Sequence, residues 1–242
     1  DDVTALVFRH LYPLNEFDLD RLRQFSRDQE VHVYLQPAGP DSVQLFWPGS
    51  SRLHYRLEDD AIDIVFLPTD FTQVNPQINW QMVARVKELL QVAPTDRVLD
   101  LFCGLGNFTL PLARHAASVT GVEGEAGLVR RARENAAHNA VENADFHVAD
   151  LEGDNTLADW ARRSYDKVLL DPPRSGAAGM MDMLGRMCPR RIVYVSCHPG
   201  SLARDAGRLV HEFGYELKAA GVMDMFPHTA HVESIAVFDT GR

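Results

Sequence analysis

The chain has 242 residues, 45% hydrophobic and 24% charged, with a net charge of −10. That length holds one large domain, or a medium domain with a smaller companion, around a substantial core. It excludes a membrane helix, since no run approaches the roughly 18 uninterrupted apolar residues needed, and three scattered cysteines, Cys103, Cys188 and Cys197, argue against a disulfide framework.

Widely spaced free cysteines and no signal peptide at the start predict a cytoplasmic location. The acidic surplus opposes a uniformly phosphate-gripping surface but leaves room for a local basic patch. The opening "DDVTALVFRH" lacks an initiator Met and runs straight into an apolar stretch, so a fragment of a longer protein is expected.

In chain order, the first seventy residues read as short β-like runs: "VTALVFRHL", "EVHVYLQP", "SVQLFWPG", "RLHYRL" and "AIDIVFLP". Turn clusters such as "PAGPDS" and "PGSS" divide them, and one helical segment, "DLDRLRQFSRD", interrupts them. Residues 1–70 are therefore expected to form part of a smaller α+β domain. "PQINWQMVARVKELLQVA" then sets Ile78, Met82, Val83, Val86, Leu89 and Leu90 at helical spacing behind Pro76. After "PTD", strands are predicted at 97–102, 118–123, 145–150, 167–173, 191–197, 215–224 and 232–239. Helices are predicted at 107–116, 125–139, 154–164, 176–188 and 200–213. Apolar strands alternating with helices imply a mostly parallel sheet covered on both faces, and the last two strands, with no helix between them, imply an antiparallel end. The expected fold is α/β, with residues 71–242 similar to the Rossmann-like, seven-stranded class I methyltransferases that use S-adenosylmethionine.

Ligands of such sheets bind at the carboxyl ends of the strands, so the strand tips carry the functional reading. In "VLDLFCGLGNFTLPLA" Asp100 ends a strand and Gly104 and Gly106 allow a tight turn, but Thr109 stands where a dinucleotide fold would need its third glycine. With Asp100, the loop resembles that of S-adenosylmethionine enzymes. Glu123, at the second tip, suits two ribose hydroxyls, and Asp150, at the third, an adenine amino group. Any one of these acids alone reads more simply as a solvated loop residue or a helix cap; three at successive tips do not.

Asp171 ends the fourth strand in "LLDPPRSGAAG", where two prolines stiffen the loop and Arg174 replaces the aromatic of amino-methylating enzymes. Cys197 ends the fifth. A cysteine closing an apolar strand is usually a small buried hydrophobe, but its place beside Asp171, before a helix whose N-terminus supplies positive potential, points to a nucleophile. Cys103 is expected to pack under the cofactor and Cys188 to be structural. His228 and His231 precede Glu233 with HxxH spacing but no third metal ligand; Glu233 is read as a general base and the histidines as structural or near RNA.

Together, "DFTQVN", "LDLFCGLGNFTLPLA", "GVE", "LLDPPRSG", "VYVSCHP", "LARD" and "DMFPHTAHVES" resemble the RNA uracil-5 methyltransferases that make 5-methyluridine. The match runs in order from about residue 68 to the C-terminus, and "MFPHTAHVES" and "LARD" look most like the branch acting on 23S ribosomal RNA, of the uridine-1939 type. The resemblance implies Cys197 as nucleophile toward carbon 6 of uracil and Glu233 as base. It implies Gln73, Phe102, Gly104, Asn107, Glu123, Asp150 and Asp171 for S-adenosylmethionine, and Gln73, Asp171 and Arg174 for the substrate, with no metal in the site. A 4Fe-4S cluster and an N-terminal RNA-binding domain belong to full-length relatives, and the cluster's ligands are absent from this chain. Residues 1–70 correspond to the RNA-binding side of the central domain, and a monomer bound to 23S ribosomal RNA, away from membranes, is expected. His198 departs from the Asn that usually follows the nucleophile, which puts that loop's hydrogen bonds in question. Transfer RNA or another ribosomal site as target, a cytosine-5 methyltransferase and a catalytically silent RNA-binding relative stand as alternatives.

Overall fold

The computed structural model describes residues 3–39 and 42–241, so Pro40 and Asp41 of the expected "PAGPDS" turn lie outside the described residues. The chain divides into two compact units, Asp1–Tyr55 with Val65–Phe71, and Arg56–Ile64 with Thr72–Arg242.

In the first unit β1 (Thr4–Arg9) runs parallel to β2 (Val31–Gln36), which pairs antiparallel with β3 (Gln44–Trp47). Helix α1 (Glu16–Asp28) starts at a reciprocal cap: Asn15 accepts from the Asp18 amide and the Asp18 carboxylate from the Asn15 amide. Arg21, Arg23 and Arg27 of this helix lie over the rings of Phe17, Phe46 and Trp47. A hairpin of β4 (Leu53–Leu57) and β5 (Ile62–Phe66) follows, and its turn belongs to the second unit. There the Asn139 side chain brackets the backbone of Asp63, accepting from its N–H and donating to its C=O, each at 2.8 Å.

The second unit opens with α2 (Pro76–Leu90), capped by Asn75 and closed by Gln91 in the left-handed conformation. Its buried stripe is Asn79, Met82, Val83, Val86 and Leu90, while Ile78 and Leu89 are only half-buried. Seven strands follow: β6 (Arg97–Leu101), β7 (Ser118–Glu123), β8 (Ala144–Val148), β9 (Lys167–Leu170), β10 (Arg191–Ser196), β11 (Tyr215–Met223) and β12 (Glu233–Thr240). They form one sheet in the order β11-β12-β10-β9-β6-β7-β8. Pairing is parallel from β10 to β8 and antiparallel at β12. The central residues Leu99, Leu101, Val168, Leu170, Ile192 and Tyr194 are fully buried, as expected of strands covered on both faces. This is the expected α/β, Rossmann-like methyltransferase sheet. No helix among the described residues is long and apolar enough to cross a membrane.

The connecting helices are α3 (Thr109–Ala113), α4 (Ala126–His138), α5 (Met181–Met187) and α6 (Pro199–His211). The helix expected over 154–164 does not form; only Trp160–Arg162 makes a single tight turn. Asp154 accepts from the Thr156 amide, and Asn155 donates to the carbonyls of Asp150 and Gly153. These local side-chain bonds compete with the helical ladder. The sheet order reverses beside β6, whose neighbours are β7 and β9, and this is the switch point where such sheets hold ligands. Because β12 is antiparallel, its first residue, Glu233, arrives at the same sheet edge as the last residues of β6 to β10.

Candidate active site

Asp100, in β6, is fully buried; its Oδ2 accepts from Thr109 Oγ1 at 2.5 Å, and its Oδ1 has no partner among the described residues. Burial, with Asp171 and Glu123 nearby, pushes this carboxyl up to about 7. Past Asp100 the backbone turns sharply. Phe102 sits at φ 65°, and the amides of Phe102 and Cys103 both donate to the Val122 carbonyl. Gly104 at φ 53° and Gly106 at φ 91° need glycine. A Cβ at Gly104 would point into open space, whereas one at Gly106 would lie 3.1 Å from Leu110.

Glu123 closes β7 and is held by backbone donors, Gly104 N–H on Oε2 at 3.2 Å and Glu125 N–H on Oε1 at 3.0 Å. Asp150 is exposed two residues beyond β8, with Oδ1 accepting from the Glu152 amide. Asn107 pairs through both amide atoms with Asn79, each bond 3.0 Å, so the first turn of α2 is fastened to the glycine loop. The expected set omitted Asn79. Its signal was a polar residue inside the apolar stripe of α2, where an Asn needs a buried partner. Gln73 is half-buried on the approach to α2, two residues before the cap Asn75.

At the chemistry end, Asp171 follows β9 and its amide donates to the Leu101 carbonyl at 3.3 Å. The register of β10 and β12 pairs Ser196 with Ser234. Cys197 and Glu233 are the next residues outward on each strand, so the two groups face the same edge beside Asp171. Glu233 is 3% exposed, and burial together with Asp171 pushes it up to about 8; burial lifts Asp171 itself to about 7. The Cys197 thiol is half-buried and also pushed up, by burial first and then by Glu233 and Asp171, against a smaller pull from Arg174. Burial is the largest cause of this rise, and the two carboxyl groups add to it.

Arg174 is exposed and donates from Nη2 to His231 Nδ1 at 2.9 Å, while His231 meets the Phe226 ring edge-on. His228 sits at φ 64° in the same exposed loop. Among the described residues no group of three His, Cys, Asp or Glu could hold a metal ion. Cys103 is buried behind the glycine loop, its thiol pushed well up by burial. Cys188 closes α5 in the left-handed conformation and is exposed, so it caps a helix and does not pack in the core. The doubt over His198 resolves: its Nδ1 accepts from the Ser201 amide at 3.1 Å and caps α6, the bond an Asn side chain makes at a helix start.

A sheet of this order, with a glycine loop after β6 and an acid at the end of β7, defines a Rossmann-like class I methyltransferase. The sequence pattern of the tRNA (Uracil-5-)-methyltransferase family matches residues 51–240, and the chain belongs to that family. The chain is 56% identical, over 239 residues, to 23S rRNA (uracil(1939)-C(5))-methyltransferase RlmD of Xanthomonas axonopodis pv. citri, covering 99% of this chain and 54% of that protein. The protein of the same name from Nitrosococcus oceani is 53% identical, covering all of this chain and 54% of the relative. The chain therefore spans about half the length of the curated relatives it matches. Among solved structures, Pyrococcus abyssi tRNA (uracil-54, C5)-methyltransferase in complex with S-adenosyl-L-homocysteine superposes with a TM-score of 0.71 at 30% identity, over 86% of this chain and 50% of that one. M. jannaschii TYW2 in complex with AdoMet, at 16% identity and a TM-score of 0.58, shares the fold over 86% of this chain and 93% of that one.

Proposed function

We propose that this chain is the catalytic part of an S-adenosylmethionine-dependent methyltransferase that converts a uridine of 23S ribosomal RNA, of the uridine-1939 type, to 5-methyluridine. One observation carries the reading: the β10–β12 register sets Cys197 and Glu233 side by side at the sheet edge, next to Asp171. The relatives at 53% and 56% identity favour the ribosomal target.

The residues present fit the cofactor. Asp100 Oδ1 is a buried acceptor without a partner among the described residues, Gly104 faces open space, and Glu123 is pre-oriented by two backbone donors to receive ribose hydroxyls. Asn107 and Phe102 line the same loop, Asp150 suits the adenine amino group, and Gln73 approaches from the α2 side. S-adenosylmethionine supplies an electrophilic methyl group. Carbon 5 of uracil is too weak a nucleophile to take it unaided. The Cys197 thiolate bonds to carbon 6, which raises electron density at carbon 5, so that this carbon would take the methyl as the methyl–sulfur bond breaks with its electron pair left on the cofactor's sulfur. Glu233, once ionised, removes the carbon-5 proton, and elimination releases Cys197. Asp171 and Gln73 meet the uracil edge, and Arg174 meets a phosphate or a base oxygen. The target base leaves its stack to enter, at a cost of a few kcal/mol, which favours loops and bulges.

Residues 1–70 act as the RNA-facing part of a central domain, a role supported by the arginine–aromatic stacks along α1. Any iron–sulfur cluster of the whole protein draws its ligands from outside this chain, whose three cysteines are unpaired and dispersed. The same free cysteines fit a reducing cytoplasm. The test is methyl transfer from labelled S-adenosylmethionine to 23S ribosomal RNA and to transfer RNA, with nucleoside analysis. Label in 5-methyluridine of the ribosomal RNA supports the reading; label in transfer RNA alone moves the target, and label in cytosine overturns the reaction.

A further inference from the structure

The "LARD" segment contributes nothing to the chemistry above, yet its Asp205 is fully buried in α6. Asp205 Oδ2 accepts from the Ala177 amide at 2.8 Å and from Tyr194 Oη at 2.7 Å, while Oδ1 accepts from Arg204 Nε at 2.8 Å. Arg204 reaches on to the Ser175 carbonyl with Nη2, also at 2.8 Å. Between those two anchored positions Gly176 sits at φ 83°, and a Cβ there would lie 2.6 Å from Arg204 Nη2, 2.7 Å from Asp205 Oδ2 and 2.9 Å from Ser201 Cβ. The loop presses onto the carboxylate with no room for a methyl group.

Three elements meet at this carboxylate. The loop 171–177 carries Asp171 and Arg174. Tyr194 lies on β10 three residues before Cys197, and α6 begins two residues after it. We infer that Asp205 is a positioning residue, which fixes the distance between the Arg174-bearing loop and the Cys197 thiol. This rests on the reading of Cys197 as nucleophile.

The direction of the effect follows from what each group is tied to. Asp171 is anchored to β6 through Leu101, so it stays when the clamp loosens. Arg174 is held through Ser175 and Ala177, and otherwise meets, among the described residues, the exposed loop through His231. Loosening therefore removes the cation from the thiol and leaves Asp171 and Glu233 facing it, with His198 still directed at Ser201.

The experiment is the pH profile of Cys197 alkylation in Asp205→Asn, made in a Cys188→Ser background so that Cys197 is the only accessible thiol. The midpoint is expected to rise by about half a pH unit or more, with kcat down about tenfold and S-adenosylmethionine affinity within about twofold. Arg204→Lys keeps the charge but loses the fork that joins Asp205 to Ser175, and is expected to shift the midpoint the same way. That variant carries the test if Asp205→Asn does not fold. An unchanged or lowered midpoint in the folded variant overturns the proposal. Failure of the methyltransferase reading shows separately, as a wild-type chain that forms no covalent adduct with RNA.

Discussion

The two halves of the sheet edge are built differently. Around the glycine loop, the carboxylates at the tips of β7 and β8 are tied down by backbone donors: Glu123 by two amides and Asp150 by the Glu152 amide. Such groups are pre-oriented acceptors, suited to holding a ligand with little rearrangement. At the tips of β9, β10 and β12, Asp171 and Glu233 draw no side-chain hydrogen bond from another described residue, and burial lifts them to about 7 and about 8. Carboxyls that draw no donor from the described residues and are lifted toward neutrality by burial are suited to exchanging protons with a substrate. On the proposed function, the contrast separates binding from chemistry along one edge.

Substitutions that respect this division should have separable effects. Cys197→Ala is expected to abolish turnover, by more than about a thousandfold, while leaving S-adenosylmethionine binding intact. Glu233→Gln is expected to slow turnover by about a hundredfold to ten-thousandfold and to accumulate the methylated covalent intermediate, visible as a protein–RNA band. Turnover depending on Glu233 rises with pH as the carboxyl ionises, around its raised position near 8. Glu123→Ala is expected to weaken S-adenosylmethionine by about 30-fold in a calorimetric titration, with Cys197 alkylation unchanged.

Stability tests the same contrast. A carboxyl whose folded value is raised above its unfolded one stabilises the fold fully below the unfolded value, and that contribution is lost as pH rises through the folded one. Wild type should therefore lose stability between about pH 4.5 and about 8 through Glu233, and Glu233→Gln should be more stable by on the order of 2 kcal/mol at the alkaline end, in urea titrations. The smallest effect is at the helix cap. His198→Asn should be neutral within about 0.5 kcal/mol, and His198→Ala should cost about 1 kcal/mol.

Much of this was legible in the sequence. The apolar runs of β6, β9 and β10 and the missing helix between β11 and β12 gave the sheet and its antiparallel end. That end is what delivers Glu233 to the same edge as Cys197. Three things were not legible. Residues 154–164 look helical, but their Asp, Asn and Thr side chains bond locally and stop the helix. The polar Asn79 in the apolar stripe of α2 signals that a buried partner exists, but Asn107, 28 positions away, is named only by the fold. Asp205 reads as an ordinary helix acid until the fold buries it against Tyr194 and Ala177.

The central claim is that Cys197 attacks the base, and RNA carrying 5-fluorouridine tests it most directly, because fluorine leaves Glu233 no proton to remove. Incubation with S-adenosylmethionine and that RNA, followed by digestion and mass spectrometry, should place one nucleotide adduct on the peptide containing Cys197. An adduct on another residue, or one that persists in Cys197→Ala, would contradict the account.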